Sequence, residues 1–591
     1  MLPEKMRITL LTLFCLIICS SHADAQGTWT KLTNTPPDYF NGVALLMTDG
    51  SVLVKSCAGG LDSMGNRWDK LTPDTNGSYI NGTWTRLSNS HSTRLYCSSQ
   101  VLKDGRVYVA GGEFGTGHSN AEVYNPLNDS WDSVYTLPSG YDIYDGNSEL
   151  LPDGKVLQNI VLPFSGTWAG FRNCIYDPVA NNYSWAATCL GGADEAAWLK
   201  LPDSSILYVD IASNRSERYI PSLNVWLRDD TVPVLLYDTY GEEEGGSLLL
   251  PDGKAFFIGS TSTSAFYTPS GDTSHGTWTA GPVIPDSLGA PDASAAMMPN
   301  GKILCAFSKQ ATASDEYPFP TWFYEFDYTT NTFTKVSSPT GGDTMHIMCY
   351  ETGMLVLPDG NILMGILDSN QLYVYHPGGT PVASGIPVVN NVYEISCDTF
   401  MATGTLFNGI SQGAVYGDDW QMPTNYPIIK LMINDSTLGT IVHYARTFNW
   451  NRTGVMTGSL PDTTYFTLPA GLPYATYNLE VTANGISSLP VSFTPCNRTG
   501  ITQVNSSESD HFAVYPNPAT GLATVSFGAQ SAGRYSLKIV DVLGRTITIL
   551  SGEAGQGNNS ILLQTGLMAK GVYTVLLNQD NRLLKTKLVI E

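Results

Sequence analysis

Five carboxylates occupy one repeated position in this sequence, eight residues before a recurring Asp-Gly turn: Asp145, Glu195, Glu244, Asp292 and Glu351, with Asn41 and Tyr96 at the same place in the other two repeats. Acids drawn toward a common axis repel one another. Either raised pKa values keep several of them protonated, or a cation neutralises them, whether a metal, a basic side chain or an ammonium ligand. Oxygen-only donors suit Ca²⁺, which takes about 6 to 8 of them, rather than a soft metal. Asp145, Glu195, Glu244 and Glu351 are also candidates for paired acid and base work on a glycan, where their separation would set the stereochemistry. The plain alternative is a set of wet loops in which Asp and Glu are common and nothing converges. Arg94 is the basic residue placed to pair with a member of the set, and Glu242 and Glu243 read as a solvated acidic tip. Tyr39, Phe40, Tyr141, Tyr144 and Trp198 are nearby aromatics able to stack on sugar rings.

The elements that position these residues follow from an internal repeat. The phrases ALLMTDGSVLV, QVLKDGRVYVAGG, ELLPDGKVLQ, LKLPDSSILYV, LLLPDGKAFFIG, AMMPNGKILCAF and LVLPDGNILMG share an apolar run, a turn and a second apolar run. Their turn residues Asp49, Asp104, Asp153, Asp203, Asp252, Asn300 and Asp359 are spaced by 55, 49, 50, 49, 48 and 59 residues. Asp-Gly between apolar runs is a hairpin signal, because Gly supplies positive φ without a Cβ clash. A third strand ending in Tyr or Phe and a fourth carrying Trp follow in most repeats, as in AEVYNPLNDSW and ERYIPSLNVW. Four strands at this period predict an all-β chain whose residues 26–384 form a seven-bladed kelch-type β-propeller. The last repeat lacks its Trp strand, and GTWTKL at residues 27–32 is expected to supply it.

The N-terminus sets the compartment. Lys5 and Arg7 precede an apolar run from Ile8 to Ile18 and the small residues Ala23-Asp24-Ala25, which together read as a signal peptide over residues 1–25. No later run is long and apolar enough to span a bilayer as a helix. The 31 basic against 53 acidic residues give a net charge of -22, which disfavours a nucleic-acid partner. Eight cysteines remain after the leader, an even number in an oxidising compartment, with Cys174 and Cys189 the best-placed pair and the connectivity otherwise open.

After residue 384 the repeat stops, and strands such as YPIIKLMI and YNLEVTA predict a sandwich over residues 385–495. The stretches NGISQGAVYGDDWQMPTNYP and TYNLEVTANGISS resemble the final, immunoglobulin-like domain of the galactose oxidase and glyoxal oxidase family, and the resemblance extends over residues 27 to about 495. That resemblance motivates the eight-residue offset, at which the family carries a thioether cysteine, a radical tyrosine and a copper histidine. Here those places hold Tyr96, Asp145 and Glu351; Cys97 and Tyr144 lie one residue away, the family's second histidine aligns with Asn449, and Tyr350 matches the axial tyrosine. With both imidazoles gone, copper is not expected, although His91 and His346 lie in the same loops as stand-ins.

Residues 496–510 read as a polar linker. Beyond it VYPNPATG, SLKIVDVLGR, KGVYTVLL and KLVIE resemble the C-terminal sorting domain of type IX secretion cargo, a small β-sandwich over residues 511–591 read by the secretion machinery. The resulting expectation is a secreted or surface-attached glycan- or ligand-binding propeller with an acidic axial site. Tyr96, Asp145, Glu195, Glu244, Asp292, Tyr350 and Glu351 would line it, and Ca²⁺ is the candidate metal at the five acids. A carbohydrate-active enzyme or variant oxidase, and a structural adhesion protein, are the rival readings.

Overall fold

All seven repeated turns are closed in the same way. The side chain of the turn residue accepts the backbone N–H two residues on, at 3.1 Å for Asp49, 3.0 Å for Asp104, 3.1 Å for Asp153, 2.9 Å for Asp203, 3.2 Å for Asp252, 3.0 Å for Asn300 and 3.2 Å for Asp359. That local bond selects Asp or Asn at the position. Ser204 takes the glycine's place in the fourth repeat, at φ 68°.

The computed structural model describes residues 26–496 and 512–591, apart from 136, 164–170, 211–212, 418, 530, 542–544, 567 and 580–581. The expected signal peptide and most of the expected linker lie outside the described residues. The chain divides into two compact units, Met1–Cys496 and Asn497–Glu591.

In the first unit the turns join the inner two blade strands of antiparallel sheets, six of them four-stranded and one, around Ala295–Met297, extended to seven strands by later and flanking segments. The innermost strands are Phe40–Leu46, Ser98–Val101, Ser148–Leu150, Leu199–Lys200, Ser247–Leu249, Ala295–Met297 and Thr352–Val356. Thr28–Lys31 completes the last sheet by pairing with Tyr373–His376, Thr28 opposite His376 and Lys31 opposite Tyr373. Trp29 fixes this closure, donating its indole N–H to the Ser337 carbonyl at 2.8 Å and packing on Phe323 and Tyr375.

The strands from Val388–Ser396 to Val491–Phe493 form the sandwich, around Phe400, Leu431, Phe466, Leu479 and Phe493. Its strand Gly439–Phe448 pairs with Ile428–Asp435 along its first part and with Asp462–Thr467 along its last, joining the two faces. The sandwich meets the propeller on the face that carries the Asp-Gly turns. Arg446 donates to the Asp104 carbonyl at 2.5 Å, Thr447 N–H to Thr48 O at 3.1 Å, and Thr453 Oγ1 to Leu151 O at 3.0 Å. One hairpin leaves the sandwich altogether. Gly413–Tyr416 and Trp420–Pro423 are entirely buried, and the first pairs with the innermost strand Ala295–Met297. This hairpin runs along the inner strands toward the face opposite the turns.

Among the described residues the disulfide is Cys397–Cys496, with Cα atoms 5.3 Å apart. This corrects the expected pairing: Cys174 and Cys189 are free and buried, and the Cys189 sulfur accepts the Asn173 amide at 3.1 Å. Cys496, expected in the linker, is thereby tied to the sandwich. The second unit packs Phe512–Tyr515, Leu522–Ala529 and Gly557–Gln564 against a four-stranded sheet from Gly533–Val540 to Arg582–Ile590, around Val525, Phe527, Leu537, Val575 and Leu588.

Candidate functional site

The loops that enter the innermost strands share a backbone device. Tyr96, Glu195 and Asp292 adopt positive φ, at 49°, 48° and 48°, and so do Tyr144 at 53° and Glu242 at 65°. Side chains other than Gly pay about 1 kcal/mol or more for this conformation, and such strain gathers at functional sites. The left-handed residue falls eight residues before the turn in the second, fourth and sixth repeats, nine before in the third and ten before in the fifth. Equal spacing in the sequence therefore does not place side chains equivalently.

These loops bring a set of acids together. One carboxylate oxygen each from Asp145, Asp194 and Glu195 lies within 4.8 Å of the others. Burial pushes the Asp145 carboxyl up to about 8, reinforced by the charges of Glu113 and Glu243. Asp194 is raised well above the carboxylate range by burial, then by Asp145 and Glu242. Burial lifts Glu113 to about 7, with Asp194 adding to it. Glu243 is buried, contrary to its reading as part of a solvated tip; burial takes it to about 8 against the opposing hydrogen bond from the Tyr317 hydroxyl.

A second cluster surrounds the tip of the inserted hairpin. Tyr416 donates its hydroxyl to the Tyr350 carbonyl at 2.6 Å and stacks on Trp420 at 4.6 Å and 11°. The Tyr96 ring lies 5.9 Å from Tyr416 and 6.4 Å from Trp420. Asp292 adjoins them: a Cβ on Gly417 would sit 1.7 Å from its Oδ1. Tyr317 packs edge-on against Tyr350 at 5.0 Å while holding Glu243, and so links the two clusters.

Of the seven residues read from the sequence, Asp145 and Glu195 thus share the acidic cluster, and Tyr96, Asp292 and Tyr350 share the aromatic one. The other two point elsewhere. Glu244 is 1% exposed and engages the Ala197 N–H, with Asp210 as its charged neighbour. Glu351 caps its own turn, accepting the Met348 N–H at 2.8 Å. Asn41 is buried, donating to the Met64 carbonyl at 3.1 Å.

Arg94 does not pair with any of these acids; it is buried in an ion pair with Glu122 at 3.0 Å, and Glu122 also holds the His91 ring at 2.8 Å. His346 packs on Phe319, the Tyr144 ring stacks on His118, and Cys97 has Lys55 and Arg94 as its charged neighbours. Asn449 sits on the turn face, its N–H on the Lys103 carbonyl. Among the aromatics, Phe40 and Trp198 are core residues, Tyr141 packs on Trp185, and Tyr39 is exposed beside a cavity of about 310 Å³. The sequence reading did not place in the site Glu113, Asp194, Glu243, Tyr317, Tyr416 or Asp419, whose charge acts on Tyr96 and Tyr416. The quoted stretch GAVYGDDWQMP contained the hairpin that carries Tyr416 and Asp419, but nothing local marked it as threading the propeller.

Comparison with known proteins bears on two segments of the chain. Residues 513–591 match the secretion system C-terminal sorting domain, and residues 94–138 match the kelch motif. The chain carries a kelch repeat and a sorting tail. No relative was found among curated proteins. A solved structure described as a novel fungal alcohol oxidase with catalytic diversity among the AA5 family, in complex with copper, is similar at 16% identity and a TM-score of 0.46, covering 80% of this chain and 99% of that one. The sorting tail marks the chain as secreted or attached at the cell surface, with the type IX machinery as the reader of that tail. Among the described residues no helix is long and apolar enough to cross a membrane.

Proposed function

We propose that the protein is an exported binding propeller that takes a glycan or a cationic ligand at the acidic cluster on the face opposite the turns. The observation that carries this reading is the approach of Asp145, Asp194 and Glu195 to within 4.8 Å. Like charges at that distance favour either protonation, which makes the acids hydrogen-bond donors to hydroxyls, or a positive ligand that returns them to the charged form. Tyr317, Tyr350 and Tyr96 supply aromatic rings beside the acids, of the kind that pack on sugar rings.

Copper, which the oxidase resemblance implies, does not suit these residues. The donors gathered here are carboxylate and phenol oxygens with no imidazole among them, and His91 Nδ1 is taken by Glu122.

Calorimetric titration with a glucosamine tetramer and its N-acetylated counterpart tests the binding reading. Binding of either that weakens on the order of tenfold in Asp145→Asn or Glu195→Gln is expected, since each change removes one charged contact. Flat isotherms for both sugars in the wild type would overturn it.

One observation favours an enzyme as the second reading. The oxygens of Asp145 and Glu195 are no more than 4.8 Å apart, close to the roughly 5 Å carboxyl separation of retaining glycosidases. Release of reducing ends from an oligosaccharide, abolished by Glu195→Gln, would support that reading, and no release from any oligosaccharide offered would remove it.

A further inference from the structure

The acidic cluster has the form of a chelating site, and a metal there rests on the cation-seeking reading proposed above. We propose that Asp145, Asp194 and Glu195 bind a hard divalent cation, with Ca²⁺ the fitting ion, and that Glu243 supplies a further carboxylate from the next blade. An ion with bonds of about 2.3 to 2.6 Å spans donors up to roughly 5 Å apart. The three donor oxygens lie within 4.8 Å of one another, so one ion reaches all of them with little movement.

Glu243 supplies independent support. It is buried, with only 8% of the residue exposed, and its Oε2 has no hydrogen-bond partner, although Oε1 takes the Tyr317 hydroxyl. A buried carboxylate oxygen left unpaired is costly. The charged groups that act most on Glu243 are Asp238, Glu113 and Asp194, and Glu243 in turn acts on Asp145, so its charged neighbours are acids and no basic side chain is among them. A cation removes the orphaned acceptor and the mutual repulsion at once.

The donor chemistry narrows the ion. With no sulfur or imidazole in the set, soft metals are disfavoured, and donors carried on loops favour the tolerant geometry of Ca²⁺ over the strict octahedron of Mg²⁺. The donors come from the loops before the third, fourth and fifth innermost strands, so the ion ties three blades together. Protein oxygens fill only part of its shell, and the remaining positions are open to sugar hydroxyls, which places the metal between the protein and a glycan ligand.

The test is equilibrium dialysis of the full mature chain against CaCl₂ after chelator treatment, with bound calcium counted by mass spectrometry and the melting temperature followed. The expected result is one Ca²⁺ per chain, a rise in melting temperature, and affinity lowered at least about tenfold in Asp194→Asn and in Glu195→Gln. Both variants relieve repulsion and should fold; their melting temperatures without Ca²⁺ confirm it. Absence of stoichiometric Ca²⁺ on the wild type, or full retention by both variants, would overturn the proposal. Sugar titrations run with Ca²⁺ and with chelator separate the two readings. Sugar bound in chelator without Ca²⁺ uptake sinks the metal alone, whereas Ca²⁺ uptake with no sugar bound in either buffer sinks the binding function alone.

Discussion

Lys55 lies wholly buried on the strand Val52–Ser56, donating to the carbonyls of Met64 and Gly65 at 2.9 Å each. Burial lowers its pKa from 10.5 to about 8, against smaller opposing effects from Cys97 and Cys57. Below pH 8 both native and unfolded chains hold this proton. Between pH 8 and 10.5 only the unfolded chain keeps it, so stability attributable to Lys55 rises with pH through that window, by about 3 kcal/mol in full. Urea denaturation of the wild type and Lys55→Met at pH 7.5, 9 and 10.5 should show the difference between them moving in favour of the wild type by that order. Parallel profiles would refute the buried neutral lysine. At this same scale the turn acids were legible, because an Asx bond acts over two residues and leaves its mark in the sequence. Glu243 was not, since its burial depends on Tyr317 from another blade.

The seven hairpins could be read directly, because each is held by contacts within a dozen residues. The hairpin at Gly413–Pro423 could not, since what buries it is a ring of strands far away in the sequence. Its tip shows how tight that fit is. Gly417 has φ 48°, and an added Cβ would lie 1.7 Å from Asp292 Oδ1 and 2.8 Å from its backbone carbon. The backbone atom cannot swing aside as a side chain would. Gly417→Ala should therefore cost about 2 to 4 kcal/mol through overpacking and backbone strain, and loosen the stack of Tyr416 on Trp420. A lowered urea midpoint together with altered Trp fluorescence checks this, and an unchanged midpoint would show that the tip is loosely seated. The slip of the left-handed residue between repeats belongs to this scale too: the eight-residue offset found the right loops, but the loops aim their acids by backbone conformation, which spacing does not encode.

At the scale of the molecule, the two ends of the chain have opposite structural standing. Residues 28–31 are a short segment, yet they complete a sheet whose other strands lie more than 300 residues away. Removing residues 26–32 deletes Trp29 and the buried Leu32, and it strips the outer ladder from Tyr373–His376. Each large apolar side chain lost from a packed site costs about 3 to 5 kcal/mol, and the sum is comparable to the 5 to 15 kcal/mol that stabilises a typical domain. The C-terminal 95 residues, Asn497–Glu591, instead pack a core drawn wholly from their own strands. Calorimetry of the two truncations should separate them. Loss of 497–591 should remove one transition and leave the melting temperature of the large unit within about 2 °C, while loss of 26–32 should lower that temperature by about 10 °C or more, or prevent folding. If the short N-terminal deletion melts as the full chain does, the first strand is an ornament on a ring already closed without it.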